Sequence, residues 1–245
     1  MAPPRAQQEL SYSPVSRATI QDHVYLRMRE LILTGGIEPG RTVTVQSLAE
    51  AFGVSAMPVR EAMQRLVAEK ALTNVAGRSV GIPFLSPERL DDLQRVRIEV
   101  EGTAIGWAAE AMPPDELGLL DDLIREMDEA REQDDRARYV PANRAFHFAI
   151  YRASGSDTLL SIIESLWLQI GPFFNLLSAS DAWGASNDHH RVMRAAIAAR
   201  DPAQARRALR RDIDDAAAML RRLLGEETPA VARTKRRKAA VLVTP

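Results

Sequence analysis

The 245-residue chain contains no cysteine. Disulfides, thiolate nucleophiles and cysteine-based zinc sites are therefore excluded. Aromatic residues make up only 5%, too few for the aromatic-rich strands of many sheet proteins. No apolar run approaches the roughly 18 residues of a membrane span. The first residues, MAPPRAQQEL, lack the apolar core of a signal peptide. These absences lead us to expect a cytoplasmic protein with no membrane partner. What is abundant is alanine, leucine, arginine and glutamate, a mix that favours helices.

Charge is scarce in sum and uneven in distribution. The net charge is −1. Residues 1–84 carry nine Arg/Lys against seven Asp/Glu, and residues 85–225 carry eighteen against twenty-four. The last twenty residues carry five against two, including the KRRK cluster. A mildly basic front and an acidic body suit a nucleic-acid reader joined to a second module.

Periodicity predicts four regions. Residues 1–19 have several Pro and Ser and no sustained period, and read as a flexible tail. Residues 20–84 read as three short helices, about Asp22–Leu33, Thr44–Phe52 and Ala56–Ala68, then two β-prone runs, LTNV and SVGI. The runs are joined by AGR, with Gly77 at the bend of a hairpin. Residues 85–225 read as six helices with short joints, an antiparallel bundle. They run about Glu88–Ala111, Pro114–Ala137, Val140–Ala153, Thr158–Leu177, Asn187–Ala199 and from Pro202 to Leu224. Gly171-Pro172 is expected to break or kink the fourth of these. Residues 226–245 read as a basic tail. The fold class is mainly α, with the domain boundary at IPFLSPE.

The front segment is expected to be a winged helix-turn-helix. In FGVSAMPVREAMQRL, Gly53 ends one helix and Ser55 can cap the next, at a steep angle to the first. Such a helix can enter a major groove, which admits one helix. Ser55, Met57, Pro58, Arg60 and Arg65 are the candidate DNA-facing residues on it. Gly77 and Arg78 are the candidates on the wing, with Arg78 placed to meet phosphate. Arg65 has an alternative: an i,i+4 ion pair with Glu61 or Glu69.

The string VYLRMRELILTGGIEPGRTVTVQSLAEAFGVSAMPVREAMQRLVAEKAL resembles the GntR family of bacterial transcription regulators. The resemblance covers nearly the whole front domain. It implies operator contacts by Ser55, Arg60 and the wing glycine, Gly77. Two positions depart from the pattern: Ala56 stands where arginine is usual, and Lys70 where glycine is usual. A shared operator sequence does not follow.

In the body, Asn143 and His147 lie four apart on one helical face and can point the same way. His189 and His190 point about 100° apart, and the apolar set Val192, Met193, Ala196 and Ile197 favours His190 as the inward one. Asp212 lies beside Leu209 and Ile213 and offers a hard oxygen ligand. The plain alternatives are a buried histidine ring between Phe146 and Phe148, and a surface pairing of Asp212 with Arg207 or Arg211. The strings RVRIEVEGTAIGWAAE, NRAFHFAIYRASGSDTLL and DHHRVMRAAIAARDPAQARRALRRDID resemble the FCD effector domain of FadR-type GntR regulators. That resemblance implies a divalent metal (zinc, nickel or manganese) held by Asn143, His147, His190 and, where the pattern has a third histidine, Asp212. It also implies that Arg97, beside Glu101, lines a pocket for a small carboxylate effector, with Arg144, Trp167 and Asn187 as lesser pocket candidates. A structural Arg97–Glu101 ion pair at i,i+4 is the alternative.

The expected function is a dimeric regulator, a repressor, bound to palindromic double-stranded DNA and controlled by an organic acid in a metal-containing pocket. The rivals are a metal-dependent hydrolase or lyase built on the bundle, and a DNA-binding dimer with a degenerate pocket.

Overall fold

The computed structural model describes residues 20–75, 79–178 and 186–240. The tail expected over residues 1–19, and Gly77 and Arg78, lie outside the described residues.

The first unit holds α1 (Ile20–Leu33), β1 (Thr42–Thr44), α2 (Val45–Phe52), α3 (Ala56–Ala68), β2 (Thr73–Val75) and β3 (Ser79–Gly81). Thr44 caps α2 through a reciprocal bond pair with Ser47, so α2 starts at Val45. Gly53 ends α2 with φ 66°, a left-handed conformation that glycine adopts without a Cβ clash. That turn lets α3 start again after only three residues. The wing differs from the expected hairpin: β1 adds to β3 as a third antiparallel strand, giving the order β1-β3-β2. The short VTV run was legible as β-prone, but its pairing with a strand some forty residues away was not.

The second unit holds α4 (Pro87–Ala111), α5 (Leu117–Glu132), α6 (Arg136–Ala153), α7 (Asp157–Ser178), α8 (Ser186–Ala198) and α9 (Pro202–Ala240). Several boundaries differ from expectation. Pro113 is held extended (φ −64°, ψ 145°) by the proline that follows it, and Pro114 opens a short 3-10 turn before α5. α6 begins one turn before Val140, where Asp135 accepts the Arg138 amide at 3.0 Å and caps it. α7 runs through Gly171-Pro172 as one helix rather than breaking there. The residues expected as a tail from 226 to 240 continue α9, in keeping with their Ala, Arg and Lys content.

Two buried clusters result. One is wholly within the bundle, around Ile105, Leu120, Phe146, Tyr151, Trp167, Met193 and Leu209. The other starts in the winged unit, with Met28, Ile32, Val59 and Leu66, and continues into Leu90, Leu168, Phe173 and Leu220 of the bundle. α7 therefore serves both: Trp167 faces the bundle interior and Leu168 faces the winged unit.

Candidate functional site

The outer face of α3 presents Met57, Arg60, Glu61, Gln64 and Arg65. Met57 is 60% exposed, unusual for so large an apolar side chain. Arg60 and Gln64 line a groove of about 320 Å³ together with Asn74 of β2 and Ser79 of β3. Pro58 corrects the expectation: it is buried, turned toward the core with Val59. Ser55 occupies the N-cap position of α3, but its side chain makes no capping bond. Arg65 is engaged within the protein. Its guanidinium lies 3.6 Å from the centroid of the Tyr25 ring and its Nε is 3.1 Å from Glu69. The alternative ion pair is the one formed. Sequence reasoning missed Gln64 and Asn74. The signal for Gln64 was its position one turn beyond Arg60 on the same face.

Inside the bundle, three helices converge. α6 brings His147, α8 brings His190 and α9 brings Asp212. The two imidazole Nε2 atoms lie 3.3 Å apart. Asp212 carboxylate oxygens lie 3.5 Å from His147 Nε2 and 3.8 Å from His190 Nε2. One ligand atom from each of the three lies within 4.8 Å of the others. Both histidines are buried, Asp212 partly so. Burial, then the neighbouring His190 and Arg97, holds the His147 pKa well below the ordinary value. Burial, then His189 and Arg191, pushes His190 down to about 3. Both rings are thus neutral at pH 7, the form that binds metal. Two imidazole nitrogens and a carboxylate suit a divalent first-row ion, zinc included. Asn143 lies one turn before His147 and is half-buried. His189 turns outward, with Nε2 2.8 Å from Asp215.

The ring orientations have identifiable causes. His147 Nδ1 lies 3.3 Å from the Tyr151 hydroxyl, which donates to Glu101 at 2.5 Å. His190 Nδ1 lies 3.3 Å from Asn187 Oδ1. Asn187 in turn accepts from the Tyr139 hydroxyl and donates to Asp128. In both rings the partner at Nδ1 turns Nε2 toward the cluster. Asn187 is thus a support for His190. Replacing it with alanine is expected to weaken Zn²⁺ binding roughly 10–100-fold, the usual range for such supports. Calorimetric titration checks this, and an unchanged affinity would remove Asn187 from the site.

Arg97 and Glu101 form a buried ion pair: Nε to Oε1 at 2.6 Å and Nη2 to Oε2 at 3.2 Å. Burial disfavours the charge on Arg97, but Glu101 outweighs it and its pKa is raised. Arg97 also lies 5.5 Å from the centroids of the Trp167 and Phe174 rings. The guanidinium fork expected for an external carboxylate is thereby largely taken by Glu101. Trp167 packs against His147, 5.5 Å between ring centroids, and its buried Nε1 has no hydrogen-bond partner among the described residues. Arg144 lies outside the cluster: its guanidinium reaches Glu30 of α1 at 2.9 Å. The resemblance that made Arg144 a lesser pocket candidate left open which side of α6 faces α1.

A three-helix unit with a small sheet, a solvent-facing cationic third helix and a separate helical bundle define a winged helix-turn-helix protein with an appended sensor-type domain. The chain matches the model "Bacterial regulatory proteins, gntR family" over residues 20–82 and the FCD domain model over residues 92–215. The HTH-type transcriptional regulator McbR of Escherichia coli is 31% identical over 177 residues, 71% of this chain and 80% of that protein. The solved structure of E. coli McbR/YncC superposes with a TM-score of 0.79, at 28% identity, over 84% of this chain and 99% of that one. The probable D-xylose utilization operon transcriptional repressor of Paenarthrobacter nicotinovorans is 25% identical, over 80% of this chain and 86% of its own length. The chain belongs to the GntR family and is a transcriptional regulator of the FadR type, with a winged DNA-binding domain and an FCD domain. These families and relatives are regulators rather than enzymes, which disposes of the hydrolase or lyase rival.

Proposed function

We propose that this protein represses transcription as a C2 dimer on a palindromic operator, and that a small carboxylate bound at a metal in the bundle releases it. The carrying observation is the His147–His190–Asp212 cluster, with both imidazoles buried and one ligand atom from each residue within 4.8 Å of the others. His147, His190 and Asp212 would hold the ion, with Asn143 as a further oxygen donor. The ion would supply a Lewis-acidic position for an anionic oxygen. Charge supports that ligand class. Arg97 and Glu101 cancel, the imidazoles are neutral, and Asp212 contributes one negative charge. A divalent ion therefore leaves the cluster with one net positive charge. The unpartnered Trp167 Nε1–H offers a donor for a ligand acceptor. In this reading the metal anchors the carboxylate and Arg97 shapes the wall beside it.

On the DNA side, Arg60 would read a base edge and Gln64 and Asn74 would hold the backbone beside it. Two-fold symmetry of the dimer would set the palindrome. In-vitro selection from a random duplex pool with the full chain tests the reading. One enriched palindrome is expected. Arg60→Ala should cut discrimination at one position in each half-site roughly 5- to 100-fold, as for one bidentate base contact. Gln64→Ala should weaken all sequences about equally. Selection that yields no motif at low or moderate salt, with folded dimer in hand, would sink the operator reading.

A further inference from the structure

We infer that two ion pairs of opposite polarity on α1 form a clamp that couples the metal cluster to the recognition helix α3. The inference rests on the pocket reading above and concerns how that pocket is heard.

Arg29 and Glu30 are neighbours on α1. Arg29 Nη2 reaches Glu164 of α7 at 3.0 Å, and Glu30 Oε1 receives Arg144 of α6 at 2.9 Å. Each partner sits three residues before a residue of the cluster's surroundings: Arg144 before His147, and Glu164 before Trp167. On a helix that is one turn, so a shift or rotation of α6 or α7 at the cluster also moves its ion pair. The reversed polarity makes the fit specific. Sliding α1 by one residue would set Arg29 against Arg144 or Glu30 against Glu164, both repulsive. Apolar packing supports the same seat. A Cβ at Gly171 of α7 would fall 2.8 Å from Leu33 Cδ2 of α1, so glycine lets the two helices close here.

The connection continues to α3. Arg29 lies 5.6 Å from the Tyr25 ring centroid, one turn back on α1. Tyr25 carries the Arg65 guanidinium on its face and donates its hydroxyl to Glu69 at 2.8 Å. The route from His147 and Trp167 to α3 is thus contiguous: α6 and α7, Arg144 and Glu164, Glu30 and Arg29, Tyr25, Arg65. Such a route carries coupling only where an element has two arrangements that both sites bias. α1 seated and α1 released are those arrangements, a hinge between domains. Arg65, exposed on α3 yet held by the Tyr25 ring and Glu69, therefore serves as a positioning residue for α3.

The experiment uses the full chain, the selected operator and Zn²⁺ as probe. Operator affinity is measured with and without Zn²⁺ for the wild type, Arg29→Glu, Glu164→Arg and the double charge swap. Zn²⁺ affinity is titrated separately on each protein without DNA. The wild type should change operator affinity roughly 5-fold or more on loading, the lower end of common allosteric couplings. Each single reversal should reduce that change to under about 2-fold, and the double swap should restore it. Restoration separates the clamp from misfolding. Full Zn²⁺ response in both single reversals would overturn the clamp while leaving the metal site standing. Absence of Zn²⁺ binding by the wild type would instead sink the pocket reading. In that case, additive effects of Trp167→Phe and Arg29→Glu on operator affinity would overturn the clamp as well, and a non-additive pair would sustain it.

Discussion

Replacing Glu101 with alanine destabilises the protein by about 3–5 kcal/mol, the range for removing one partner of a buried ion pair. Glu101 is 0% exposed and Arg97 is 5% exposed. Truncation leaves the Arg97 charge buried, its Nε and one Nη without their acceptor, and the Tyr151 hydroxyl without its own. The loss is a large part of the roughly 5–15 kcal/mol that holds a typical domain. At this chain length the melting temperature should fall by roughly 10 °C. Replacing both partners, Arg97→Met with Glu101→Leu, should recover most of the loss, because the pair's own attraction barely exceeds its desolvation. Thermal and urea unfolding read both variants. A single-variant cost below about 1 kcal/mol would mean that the pair is solvated or that its charge relocates.

Acid is the second large lever. Both histidines of the cluster have folded pKa values below the usual 6.5: His147 well below it, and His190 about 3. As pH falls, the unfolded chain takes up these protons before the folded protein does. The contribution of each ring is whole above about pH 6.5 and is lost as pH falls through 6.5 toward the folded value. The slope is about 1.4 kcal/mol per pH unit for each histidine, and roughly 3 for both once the pH lies a unit below 6.5. Stability by urea unfolding in the presence of a chelator should therefore drop steeply between pH 6.5 and 4.5. His190→Gln should halve the slope. Zn²⁺ competes with the proton for the same Nε2 atoms, so loading should move the loss to lower pH. A flat profile in that window in the presence of the chelator would contradict neutral buried rings.

Much of the fold was legible because helices are local objects. A 3.6-residue period, Gly53 after α2, and Asp201-Pro202 before α9 each act within a turn of chain, and the structure bears them out. The winged unit and its family were legible from one contiguous string. Of the expected break or kink at Gly171-Pro172, the break is absent, for a non-local reason. Both residues are buried, α1 packs on Gly171 through Leu33, and tertiary contact holds α7 as one helix. The third strand failed similarly, since pairing of β1 with β3 depends on where the intervening helices bring the chain.

The cluster divides in the same way. Composition excluded thiolate chemistry, and helical spacing put Asn143 and His147 on one face and chose His190 over His189, because side-chain direction along one helix follows from residue number alone. Distances between helices do not follow from residue number. That His190 Nε2 stands 3.3 Å from His147 Nε2, that Arg97 turns to Glu101, and that Arg144 leaves the cluster for Glu30 were decided by packing angles and buried-charge compensation. Those are set by the whole core at once, since an interhelical contact depends on every side chain that spaces the two axes.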